Sequence, residues 1–85
     1  MYRLKITSKA KRQLKKISQI RYQHALATAF EDIKEDPFLG KSLTRDLTGR
    51  FSYKVGVYRV IYKVNEKDKT VSILSAGHRA SVYKR

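Results

Sequence analysis

The sequence predicts an α+β domain with the element order β-α-α-β-β-β, an antiparallel sheet packed against an N-terminal helical hairpin. Three observations carry this reading. Residues 2–7 alternate apolar and basic, residues 8–36 place apolar side chains at helical spacing, and from residue 51 the composition turns to β-branched and aromatic residues. Eighty-five residues suffice for one domain, spanning 1–85, near the lower end of what folds unaided. The chain has no cysteine and is 41% hydrophobic, so stability must come from a packed core rather than disulfides or thiolate metal sites.

In "YRLKIT" (2–7), Leu4 and Ile6 share one face while Arg3 and Lys5 share the other, the pattern of a half-buried strand. Thr7 or Ser8 offers a hydroxyl cap for the helix that follows. There Ala10, Leu14 and Ile17 recur at helical spacing, and nearly everything between them is Lys, Arg or Gln. Ser18 can cap a second helix, whose stripe is Tyr22, Leu26, Ala29, Phe30 and Ile33. Asp36-Pro37 stops it, because the residue before a proline is driven out of helical geometry. With almost no loop between them, the two helices read as an antiparallel αα-hairpin. Glu31, Asp32, Glu35 and Asp36 crowd the C-terminus of the second helix, where its dipole disfavours anions. A polar loop follows over 37–50, pinned by Phe38, Leu39, Leu43 and Leu47. Strands are expected at about 51–55, 58–65 and 70–76, with Gly56 in the first connection and "NEKDK" (65–69) as the tip of a hairpin. The expected core is Leu4, Ile6, Leu14, Ile17, Leu26, Phe30, Ile33, Val60, Ile61, Val64, Val71, Ile73 and Leu74.

Charge narrows the function. Twenty Lys and Arg against seven Asp and Glu leave a formal +13, a self-repelling surface that points to a polyanionic partner: nucleic acid first, an acidic protein second. Eight basic and no acidic residues lie within positions 1–21, so Lys11, Lys15 and Lys16 are candidates for RNA phosphate contacts, joined by Arg45 and Arg50 in the loop. No apolar run approaches the ~18 residues of a membrane span and no signal-peptide core opens the chain, which suits a soluble cytoplasmic protein with no membrane partner. His24 and His78 are far apart and the acids form no metal-holding pattern, so no metal or other cofactor is expected. Neither a nucleophile elbow nor a phosphate-cradling glycine loop is present. What remains is a set of cations and phenols at neighbouring strand ends: Lys54, Arg59, His78, Arg79 and Tyr83.

"YKVGVYRVIYKV" followed by "GHRASVY" resembles the RelE branch of the RelE/ParE toxin superfamily, over essentially the whole chain. The resemblance implies the toxin of a type II toxin–antitoxin system: a ribosome-dependent, metal-independent endoribonuclease (mRNA interferase) that cuts mRNA in the A site. In that reaction the RNA 2′-hydroxyl attacks its own adjacent phosphate. By position, Lys54 matches the family's strand lysine, Arg59 the arginine of "YR", Arg79 that of "GHR", and Tyr83 the terminal tyrosine. Ser52 stands where members often carry a basic residue, and the sequence stops two residues after Tyr83, short of the C-terminal helix of some members. Such cleavage needs a base, a clamp for the extra phosphorane charge, and a proton for the leaving 5′-oxygen. A lysine serves as a base only where like charge disfavours its ammonium form, which Arg59 and Arg79 would supply. Arginines suit the clamp, His78 has the chemistry of a general acid, and Tyr83 can orient RNA or the proton path. The resemblance also implies a cognate acidic antitoxin, the ribosome and mRNA as partners, and operator DNA bound through the antitoxin. The alternatives are a ParE-like DNA gyrase poison and an inactive toxin-fold binding module.

Overall fold

The computed structural model describes residues 1–17, 19–43 and 49–78. In chain order these form β1 (Arg3–Ile6), α1 (Ser8–Lys15), α2 (Ile20–Glu35), β2 (Lys41–Ser42), β3 (Arg50–Val55), β4 (Tyr58–Asn65) and β5 (Thr70–His78). The strands make one sheet in the order β1-β5-β4-β3-β2. Its β3–β4–β5 part is antiparallel as expected, and β2 adds to β3 antiparallel, but β1 joins β5 in parallel, pairing Leu4 with Val71 and Ile6 with Ile73. An antiparallel sheet throughout is therefore corrected to a mixed one. The added edge strand β2, only two residues long, is too short to leave a period in the sequence.

One face of the sheet carries the helices. Leu4 and Ile6, Val55, Val60, Tyr62, Val71, Ile73 and Ala76 meet Ala10, Ile17, Leu26, Ala29 and Ile33 there. Most of the expected core is found here, although Leu4, Ile6, Leu14, Phe30 and Val64 are only partly buried and pack at its margin. Ile61 is buried but stands outside this cluster, on the opposite face with Ser52 and Ser75. Burial of the small residues Ala10, Ala29 and Ala76 brings the helices close to the strands.

Caps and ties follow local chemistry. Thr7 Oγ1 accepts from Ala10 N–H at 3.2 Å and caps α1. The cap position of α2 falls on Gln19 rather than on Ser18, which lies outside the described residues, and Gln19 makes no side-chain capping bond. Instead Gln23 Nε2 donates to Ile17 O at 2.9 Å, fastening the junction between the helices. The acid-crowded end of α2 finds donors: Tyr53 Oη–H to Asp32 at 3.4 Å, Phe38 N–H to Asp36 at 3.1 Å, and Lys34 to Glu31 at 3.3 Å. Tyr62, wholly buried, donates its hydroxyl to Pro37 O at 2.7 Å and accepts from Gly40 N–H at 3.0 Å, locking the segment after α2 onto the sheet.

Candidate functional site

Side-chain alternation assigns the site to the sheet face away from the helices. Residues directly opposite in a sheet share a face, so the register places Lys54 beside Arg59, Arg50 beside Lys63, and Lys41 beside Ser52. Arg3 and Lys5 extend this cationic face across β5 to the far edge. Among the described residues, no strand contains an acidic residue. The described acids sit elsewhere, four around the end of α2 and Glu66 and Asp68 in the β4–β5 turn. Lys54 and Arg59 lie where β3 turns into β4 through Gly56 and Val57. Gly56 has φ +61°, as the first central residue of this two-residue hairpin requires, and a Cβ there would come 2.8 Å from Tyr22 Cε1. The tightness of that turn sets Lys54 against Arg59. Together with Gly56, Val57 and His78 they line a cleft of about 240 Å³.

The strands do not deliver His78 as simple alternation suggests. Val71 and Ile73 point to the helices, so an uninterrupted β5 would send residue 78 to the open face with Arg59. A bulge intervenes: Ile61 pairs with Ser75 while Tyr62 pairs with Ile73, leaving Leu74 unopposed. Beyond it the phase is inverted, Gly77 opposes Arg59, and His78 opposes Tyr58 on the helical side. The Tyr58 and His78 rings are edge-to-face at 6.4 Å, and Tyr58 in turn meets Tyr22 edge-on at 4.9 Å. His78 therefore borders the cleft from its rim.

Of the other predicted positions, Lys11, Lys15 and Lys16 are exposed on and just beyond α1, but only Lys16 comes near the strand ends that hold the cleft. Lys15 instead borders a groove between the helices with Leu14, Leu26 and Phe30. Arg50 is exposed on the cationic face four positions along β3 from Lys54, about 13 Å at ~3.3 Å per residue. Arg45, Arg79 and Tyr83 lie outside the described residues. Ser52, where the resemblance leads to the expectation of a basic residue, is buried at 5% exposure. Sequence reasoning missed Lys63 and Lys41. The alternation Arg59-Ile61-Lys63 could have revealed the first, whereas Lys41 depends on a two-residue strand. Among the described residues, no group of three or more His, Cys, Asp or Glu side chains could hold a metal ion, and no helix is long and apolar enough to cross a membrane.

A helical layer on one sheet face and, among the described residues, a cationic surface without acids on the other, opening into a cleft at the β3–β4 turn, define a small basic α+β domain. Residues 4–83 match the family model described as the ParE toxin of type II toxin-antitoxin system, parDE. Toxin RelG of Mycobacterium tuberculosis is 36% identical over 85 residues, covering 99% of this chain and 98% of that protein. Toxin RelE of the same organism is 30% identical, over 98% of this chain and 87% of its own. The toxin–antitoxin complex RelBE2 of M. tuberculosis contains a chain that superposes with TM-score 0.82 at 38% identity, covering 92% of this chain and 98% of the other. The chain belongs to the RelE/ParE superfamily and is a toxin of the type II toxin–antitoxin class.

Proposed function

We propose that this toxin is a ribosome-dependent endoribonuclease that cleaves mRNA in the A site without a metal ion. The observation that carries the reading is the Lys54–Arg59 pair, two cations set directly opposite each other in the strand register and lining a cleft on a face where no described residue is acidic. Like charges directly opposite each other tend to destabilise a sheet, and an anion between them offsets that cost. A scissile phosphate is such an anion. The RNA 2′-oxygen forms a bond to phosphorus as its proton passes to a base, and the bond from phosphorus to the 5′-oxygen breaks as that oxygen takes up a proton. Arg59 stabilises the charge that accumulates on the phosphorane. Lys54, exposed beside it, takes the 2′-proton or adds a second positive contact to the phosphate. By resemblance, Arg79 completes the clamp and Tyr83 orients the RNA, while His78 reaches the cleft from its rim. Lys11, Arg50 and Arg45 serve ribosomal RNA phosphates, while Lys16 lies by the strand ends and Lys15 faces the helical groove.

The complexes solved for relatives support a cognate antitoxin partner for this chain, and +13 suits an acidic one. A gyrase-poison reading draws on the family description parDE, and the Lys54–Arg59 pair weighs against it. Induced expression in bacteria, followed by mapping of mRNA 5′ ends, separates the readings. Cuts phased to codons and lost in Arg59→Ala support the nuclease, whereas DNA damage with intact mRNA overturns it.

A further inference from the structure

A second pocket lies on the other side of the same strand ends. Of about 260 Å³, it is lined by Gln13, Lys16, Ile17, Tyr58, Ala76 and His78, and shares His78 with the cleft. Its walls combine two aromatic rings with polar groups left over from folding. Gln13 Oε1 accepts from Ala76 N–H at 2.9 Å, which fixes that side chain and leaves its amide N–H donors for another partner. Among the described residues, neither the Lys16 ammonium nor the Tyr58 hydroxyl has a hydrogen-bond partner. Ring walls with a few convergent polar groups are the build of a ligand pocket, and this volume is just below the ~300–1,000 Å³ range of whole-ligand sites, suiting a single planar base. Single-stranded RNA is recognised by splaying bases out against aromatic side chains.

We infer that this pocket receives a nucleobase flanking the phosphate held by Lys54 and Arg59, and that it selects keto bases, guanine and uracil, over amino bases. The inference rests on the proposal that the cleft takes RNA. Selection follows from the donors: the amide of Gln13 and the ammonium of Lys16 match a carbonyl at O6 of guanine or O4 of uracil. At the same place adenine and cytosine carry an amino group, which sets donor against donor. The edge-to-face rings of Tyr58 and His78 supply aromatic surface against which a base can stack, and His78 links the pocket to the cleft.

The test is binding, so it is independent of cleavage. The isotope-labelled protein is titrated with GMP, UMP, AMP and CMP, which share a phosphate, and followed by NMR. The expected result is that GMP and UMP shift the Gln13 side-chain amide and the Tyr58 and His78 ring signals, with at least fivefold tighter binding than AMP or CMP. Gln13→Glu keeps an acceptor for Ala76 N–H but removes the donors, and should cut that preference below twofold. Lys16→Met, at an exposed position, tests the same preference should Gln13→Glu fail to fold. Equal affinity for all four nucleotides, or shifts confined to Lys54 and Arg59, overturns the inference. Phased mRNA cutting without a base preference in binding would sink the pocket and leave the nuclease standing. A base preference with no cutting would do the reverse.

Discussion

At the scale of single residues, the proposed site and the scaffold place opposite demands on Lys54 and Tyr62. Lys54 faces Arg59 with like charge, a cross-strand pairing that costs about 0.2–1 kcal/mol. Lys54→Ser should therefore raise the urea midpoint slightly while lowering toxicity in induced cultures; a variant both less stable and fully toxic contradicts this assignment. Tyr62 belongs to the scaffold. Its hydroxyl serves both Pro37 O and Gly40 N–H, so Tyr62→Phe strands two backbone groups and should cost about 1–3 kcal/mol. Burial raises the Tyr62 pKa, partly offset by the Gly40 hydrogen bond. A phenol whose pKa is higher folded than unfolded contributes fully below its unfolded value of 10.0, and the contribution is lost as pH rises through the folded value. The stability gap between wild type and Tyr62→Phe should thus narrow between pH 7.5 and 10.5 in urea titrations, whereas a constant gap would refute it.

Elements decide which residues meet. The β3–β4 hairpin is the most sensitive of them, because Gly56 combines a positive φ with the Tyr22 ring beneath it. Gly56→Ala should cost about 1–2 kcal/mol from backbone geometry alone and push Tyr22 off Tyr58, visible as a changed ring-current shift at Tyr58. An unaltered unfolding midpoint would contradict that account. Helix stripes, strand alternation and the Asp36-Pro37 stop were all legible in the sequence, since each is a repeating or punctuating pattern within one element. The parallel pairing of β1 with β5 was not, because the order of strands in a sheet leaves no local period. Nor was the Leu74 bulge, which alone turns His78 from Arg59 toward Tyr58. Lys54 and Arg59 were found because both lie on regular strand either side of one short turn. Gln13 was overlooked because its value comes from Ala76, 63 positions away.

At the scale of the whole molecule, the described acids are confined to two places, whereas cations cover the open sheet face and α1 as well. Cations from β1 through β3 share the open sheet face, while described acids gather at the end of α2 and in the β4–β5 turn. Such a face should bind ribosomes with strong salt dependence, and replacing both Arg50 and Lys63 with Gln should reduce the log–log slope by about 2. A slope unchanged in sedimentation assays would place the ribosome contact elsewhere. This global sorting was visible in the sequence only as net charge, because the residues that share the face come from four strands. The central claim is that Arg59 and Lys54 grip a phosphate attacked by its own 2′-oxygen. It is tested most directly by single-turnover cleavage of mRNA on programmed ribosomes, with and without a 2′-deoxy substitution at the attacking nucleotide. The account predicts a product ending in a 2′,3′-cyclic phosphate, no cleavage of the deoxy substrate, and about 10²–10³-fold slower cutting by Arg59→Ala. Cleavage of the deoxy substrate at the wild-type rate would contradict it.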